Sequence, residues 1–226
     1  MHRSVSVACE DRVLAGTLVS SDAPSGAAVL FVHGLGSSRA TNVERAEAVS
    51  RRCAATCLAI DLGGHGDSAG RLTAMTPRRN LADVVAAYDA LVSVPGVDPA
   101  RIGVCAASYG AYLSVLLTAL RPVNRMLLRA PALYADDCFD RGLGRRRPGD
   151  PTTAPTPLAH LARFPGRVTI VESEHDEVIS HHTIAAYLAA LPTAAHVVQP
   201  HARHALTDRA WRAVFQQLVV EFFEGQ

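Results

Sequence analysis

The sequence predicts one α/β domain organised around a mainly parallel sheet. Short β-branched runs alternate with longer helical patterns, the signature of βαβ units. One run, Ala27 to Val32, reads AAVLFV with no polar break, as expected of a strand covered on both faces. The chain has 226 residues, enough for one substantial core, and no linker or repeat divides it.

Taken in order, Val5 to Ala8 and Arg12 to Val19 alternate apolar and polar around a short polar turn and read as an antiparallel hairpin. Further strands are expected at Ala27 to Val32, Ala54 to Ile60, Ile102 to Ala107, Met126 to Ala130, Val168 to Glu172 and His196 to Gln199. Helical periodicity covers Asn42 to Arg52, Arg79 to Val92, Tyr109 to Leu120, Thr183 to Leu191 and Asp208 to Phe223. In the second of these, Leu81, Val84, Val85, Tyr88 and Leu91 form one stripe, with Asp83 and Asp89 off it. The segment from Pro131 to Pro165 breaks the rhythm with many Pro, Gly, Asp and Arg residues. So long an excursion inside a domain reads either as a short lid or as a solvated loop.

Composition narrows the function. Hydrophobic residues make up 49% and charged residues 19%, as in ordinary globular chains. Formal net charge is +1 and every basic side chain is Arg, with no Lys. No overall field would draw in nucleic acid or an anionic membrane, so neither partner is expected. No apolar run approaches the roughly 20 residues of a membrane span. The N-terminal stretch has no continuous apolar core of a signal peptide, which predicts a cytoplasmic protein. Cys9, Cys53, Cys57, Cys105 and Cys138 are odd in number, lie in apolar settings and read as reduced, packed thiols. The histidines show no H-E-x-x-H frame and no nearby cysteines, so no metal is expected. Absence of both phosphate-loop and dinucleotide fingerprints leaves no cofactor to predict.

Chemistry concentrates in four places. In IGVCAASYGAYLSVLL a buried strand ends at Ala107, Ser108 follows, and a helix begins at once. Ala106 and Gly110, two residues to either side, leave room for a sharp turn that projects Oγ and aims the next backbone N–H at a developing oxyanion. The usual pattern has Gly where Ala106 stands, and a plain strand-to-helix turn would look much the same. At Phe31 to Ser38, FVHGLGSS places small residues after a buried strand, where the N–H of Leu35 can serve as a second donor beside Tyr109. The same loop also reads as a Gly-rich turn capped by Ser37 or Ser38. Asp61 to Ser68, DLGGHGDS, follows the next strand.

With these strings in this order, the chain resembles the α/β-hydrolase superfamily, in particular its compact bacterial esterase and lipase-like members. The resemblance runs from about Val13 to the C-terminus. It implies an eight-stranded, mainly parallel sheet with helices on both faces. It also implies a serine hydrolase acting on carboxylic esters through an acyl-enzyme, with a small-molecule ester as the only expected partner. Asp61, His65 and Ser68 are then structural. The family order is Ser, then acid, then His. Asp176, just past the strand RVTIVES, matches the acid position, with Glu174, Glu177, Asp136 and Asp137 as competitors. His204, in HARHALTD before the last helix, matches the base, with His201 the alternative. The cluster Arg141, Arg145, Arg146 and Arg147 reads as a solvated charge run or as a greeting for an anionic substrate group. A modest excursion at 131–165 suggests an open site and small to medium acyl groups; thioesters, amides and acyl transfer share the same chemistry, and an idle binding module is the non-enzymatic alternative.

Overall fold

A computed structural model describes residues 2–143 and 156–226. Its sheet is formed by β1 (His2–Cys9), β2 (Arg12–Val19), β3 (Ala28–Val32), β4 (Thr56–Ile60), β5 (Ile102–Ala107), β6 (Arg125–Arg129), β7 (Arg167–Ser173) and β8 (Ala195–Gln199). The strands lie in the order β1-β2-β4-β3-β5-β6-β7-β8. Only the β1–β2 hairpin and the β2–β4 pairing are antiparallel. From β4 to β8 every neighbour runs parallel, so their carboxyl ends share one edge.

Strand β3 explains why the sheet is covered on both sides. Ala28, Leu30 and Val32 enter a core shared with α2 (Pro77–Val92) and α3 (Tyr109–Leu117). Val29 and Phe31 point the other way, into a core closed by α1 (Ala40–Cys53) and α6 (Arg209–Phe223) through Ala46, Val49, Phe215 and Phe223. All five β3 residues are fully buried, which demands the unbroken apolar run. The remaining helices are α4 (Thr156–Leu161) and α5 (His181–Ala190).

Three expectations change. Asp83 is not on a solvated face of α2 but completely buried. Its carboxylate accepts from Arg12 Nε at 2.9 Å, Gly63 N–H at 2.8 Å and Asn80 Nδ2 at 2.8 Å, and periodicity cannot foresee a charge buried against a strand-borne partner. Helix α3 stops at Leu117, because residues 118–121 tighten into turns before Pro122. Within 131–165, TPLAHL forms the unforeseen α4, which packs against α3 and α5. At the start of that segment Tyr134 and Cys138 join the α2–α3 core, and Asp136 accepts from the N–H and hydroxyl of Thr156. Arg141 pairs with Asp137 at 3.0 Å; Arg145, Arg146 and Arg147 lie outside the described residues. All five cysteines are free, and among the described residues no helix is long and apolar enough to cross a membrane.

Candidate active site

Ser108 stands between β5 and α3 with φ +50° and ψ −118°, a backbone state that costs a non-glycine residue energy. The surroundings hold it there. Its N–H donates to Arg129 O at 2.9 Å, and its carbonyl accepts from Ala111, Tyr112 and Ala132. A Cβ on Gly110 would sit 2.4 Å from His33 O and 2.7 Å from Val32 O, so only glycine lets α3 start this close to β3. Ala106, where glycine was the usual expectation, pairs with Val32 inside the sheet and its methyl packs into the core.

The His-Gly loop lies against this turn. His33 is buried; its Nδ1–H donates to Gly34 O at 2.7 Å and its Nε2 accepts from Leu62 N–H at 3.0 Å. Those two bonds fix one neutral tautomer, and burial pushes the imidazole down to about 4. Gly34 O also accepts from Ser37 N–H at 3.2 Å. With the carbonyl of the Gly34–Leu35 peptide clamped, planarity turns the Leu35 N–H the opposite way. Neither Leu35 N–H nor Tyr109 N–H is engaged with the described residues, and Leu35 lines the cavity above Ser108. The Tyr109 ring points into the core, where its hydroxyl donates to Asn80 Oδ1 at 3.1 Å.

Asp176 and His204 follow β7 and β8, whose loops are stitched together by Glu174 N–H to Gln199 O and His175 N–H to Ala202 O. Asp176 Oδ1 accepts from Val178 N–H (2.9 Å) and Ile179 N–H (2.8 Å), while Oδ2 lies 2.9 Å from His204 Nδ1. Burial raises this carboxyl, but the His204 contact and those two amides outweigh it and leave it below the ordinary carboxylate value. Its competitors do other work. Glu177 accepts the His204 N–H, Glu174 accepts the His201 N–H, and Asp136 holds Thr156. His201 is exposed at φ +59° and does not line the cavity.

Ser108 and His204 line one cavity of about 640 Å³, together with Leu35, Arg45, Arg129 and Phe215. No hydrogen bond yet joins Ser108 Oγ to His204 Nε2; such contacts commonly close only around a substrate. None of the described residues of 131–165 lines this cavity. Asp61, His65 and Ser68 do not line it either. Asp61 is fully buried, accepts Arg39 N–H at 2.6 Å and pairs with the Arg39 guanidinium, and so anchors the start of α1. Ser68 ties Asp61 O (2.6 Å) to Ala15 N–H (2.8 Å), and the His65 ring packs on His33.

Arg129 escaped the sequence reading. It closes the apolar strand RMLLR, a position where a charge is unusual and could have drawn notice. Its Nη2 donates to Ser173 Oγ (2.7 Å) and Arg203 O (2.9 Å), and burial lowers the guanidinium to about 10. The described group best spaced for a metal ion is Glu174, His175 and His201, all exposed, with ligand atoms within 4.8 Å of one another.

Sheet order, serine turn and loop placement are those of an α/β hydrolase, and this chain is a member of that superfamily. Residues 23–146 match the family described as serine aminopeptidase, S33, and the chain belongs to it. No curated protein matches the sequence. Among solved structures it is similar to Est1E from Butyrivibrio proteoclasticus, solved with ferulic acid (16% identity, TM-score 0.78, covering 96% of this chain and 97% of that one). It is likewise similar to the esterase Pf2001 of Pyrococcus furiosus (20% identity, TM-score 0.76, 98% and 91% covered). A thioesterase domain from the curacin biosynthetic pathway aligns at 14% identity and TM-score 0.75, with 98% and 99% covered. At these identities the likeness is one of fold.

Proposed function

We propose that the chain is a serine esterase that cleaves carboxylic esters through an acyl-enzyme, working as one domain. Ser108 Oγ attacks the ester carbonyl and passes its proton to His204 Nε2. The tetrahedral oxyanion is held by the N–H groups of Leu35 and Tyr109, a contribution of about 3 kcal/mol per donor. Collapse breaks the bond to the alkoxide, which leaves with the proton from His204. Water then repeats the sequence on the acyl group and frees the acid. Asp176 keeps the proton of the neutral imidazole on Nδ1, so that Nε2 is the base, and stabilises the imidazolium that forms.

One observation carries this reading. The Asp176–His204 contact of 2.9 Å commits Nδ1, and the imidazole shares a cavity with a serine held at positive φ. The five free thiols support a reducing compartment, hence the cytoplasm.

The family description favours an amide-cleaving reading, in which an aminopeptidase must hold a substrate ammonium. The cavity argues against it: its lining carries Arg45, Arg129 and Arg212 against the single carboxylate of Glu44. Fluorophosphonate labelling tests the proposal. Wild type should label and Ser108→Ala should not; equal labelling of the two sinks it. A panel of p-nitrophenyl esters, acyl-CoA thioesters and aminoacyl p-nitroanilides then separates ester, thioester and amide preference.

A further inference from the structure

The cavity beside Ser108 contains more buried positive charge than the protein itself neutralises. Arg45, on α1, is only 8% exposed, and Arg129 5%. Arginines this buried are ordinarily paired with carboxylates. Neither has one within 4.0 Å among the described residues, whereas elsewhere in the fold Arg12 pairs with Asp83 and Arg39 with Asp61.

The two cases differ. Arg129 has two neutral acceptors on Nη2 and feels Asp176 and Glu177 at longer range. Arg45 Nη1 likewise has two neutral acceptors, Thr41 O and Asn42 Oδ1 at 3.2 Å, and its buried Nε, like that of Arg129, has no partner, so the difference lies in the carboxylates each one feels. Glu44 is the one side-chain carboxylate acting on Arg45, from an exposed position, and Arg212 across the cavity opposes that effect. The Phe215 ring lies under both guanidiniums, 4.9 Å from Arg45 Cζ and 5.7 Å from Arg129 Cζ. A cation–π contact eases burial but does not replace a counter-charge. Helix α1 adds to the same sign: it opens onto the cavity at Ala40 and has no acidic residue in its first turn.

Building on Ser108 as nucleophile, we propose that the substrate is an ester bearing an anionic group, a carboxylate or a phosphate, seated between Arg45 and Arg212 along the Phe215 side of the cavity. The anion supplies the counter-charge that Arg45 lacks and fixes the ester carbonyl over Ser108. Neutral esters of the same length lack that anchor.

Two matched pairs test this and tell which side of the ester carries the charge: monomethyl against dimethyl adipate, and a butanoyl ester of glycerol 3-phosphate against butanoyl glycerol. Each measurement is a ratio of kcat/KM, anionic over neutral, within one enzyme preparation, so the amount of folded protein cancels. In at least one pair the wild-type ratio should exceed about tenfold, and it should fall toward unity in Arg45→Gln. Arg212→Gln, a change at an exposed position, should lower the same ratio without a folding risk. A wild-type ratio at or below unity in both pairs, or a ratio untouched by both variants, overturns the anion site while leaving the esterase reading intact. No cleavage of any of the four esters together with no fluorophosphonate labelling overturns both.

Discussion

The carbonyl oxygen of Arg129 accepts the N–H of Ser108 at 2.9 Å, and the guanidinium of the same residue reaches Arg203 O and Ser173 Oγ. One arginine at the end of β6 therefore touches the serine turn, the residue before His204, and the strand end three residues before Asp176. These segments are far apart in the chain, so their relative position depends on tertiary contacts of this kind. Arg129 is a positioning residue in this arrangement, holding two loops to the sheet edge.

Replacing Arg129 by Met keeps the side-chain volume and the backbone acceptor but removes both tethers. Hydrogen bonds from a charged donor are worth about 1.5–3 kcal/mol each, so kcat should fall roughly tenfold to a hundredfold with KM little changed. Arg129→Lys, which keeps the charge and one tether, should recover part of the loss. Rates of p-nitrophenyl butyrate hydrolysis supply the split between kcat and KM. If Met and Lys variants are equally impaired, charge and tether are irrelevant and only the arginine's shape matters.

Gly34 and Gly110 should respond differently to Ala. At Gly110 the new Cβ meets backbone oxygens at 2.4 and 2.7 Å, which cannot swing aside, so the serine turn and its packing on β3 are lost. At Gly34 the Cβ would lie 3.2 Å from Ser108 Cβ, a contact relieved by a loop shift of a few tenths of an ångström. That shift displaces the Leu35 N–H. Gly34→Ala should retain a near-wild-type Tm and lose about tenfold or more in kcat. A Tm drop matching that of Gly110→Ala would mean that the loop supports the fold rather than the oxyanion.

What the sequence made legible follows from which forces leave periodic traces. β2 and β5 are recovered from Arg12 to Val19 and from Ile102 to Ala107 as expected, β1 begins three residues earlier at His2, and the remaining strands shift by only a residue or two, because apolar runs and turns are local signals. Asp176 and His204 were legible through their order after the serine and their places just past strand ends, and the two side chains meet. Asp83, Arg129 and Arg45 were not. A buried charge is dictated by a partner distant in sequence, Arg12 in the first case and Ser173 with Arg203 in the second. Helix α4 was hidden because six residues opening Thr-Pro, between prolines, carry too little periodicity to stand out.

Asp176 gives a pH dependence of stability whose sign is fixed. Its folded carboxyl sits below the ordinary value, so the stability it confers is present above the unfolded value near 4 and is lost as pH falls through the folded one. Asp176→Asn removes that contribution. Wild type should be the more stable protein at neutral pH, and the difference in Tm between the two should shrink steadily on acidification below about pH 4. A difference that stays constant over that range would show that the carboxylate's charge has no part in holding His204.

His33 should make its own mark at higher pH. Burial lowers this imidazole from 6.5 to about 4 in the folded protein, since both ring nitrogens are committed in the neutral form. Below pH 6.5 the unfolded chain takes up a proton that the folded chain refuses. Stability from this group is therefore complete above 6.5, declines between 6.5 and 4, and falls no further below that. A shift of this size corresponds to roughly 3 kcal/mol across the window. Protonation would also turn Nε2 from acceptor to donor against the Leu62 N–H, so the loop carrying Leu35 should loosen as the pH drops. Asn in place of His33 keeps a donor near the Nδ1 position and does not titrate. Urea unfolding of the two proteins across the window should show a steep loss for wild type and a shallower one for His33→Asn. Parallel curves would mean that the imidazole finds a way to accept the proton in the folded state, and that the loop is less tightly clamped than its two hydrogen bonds require.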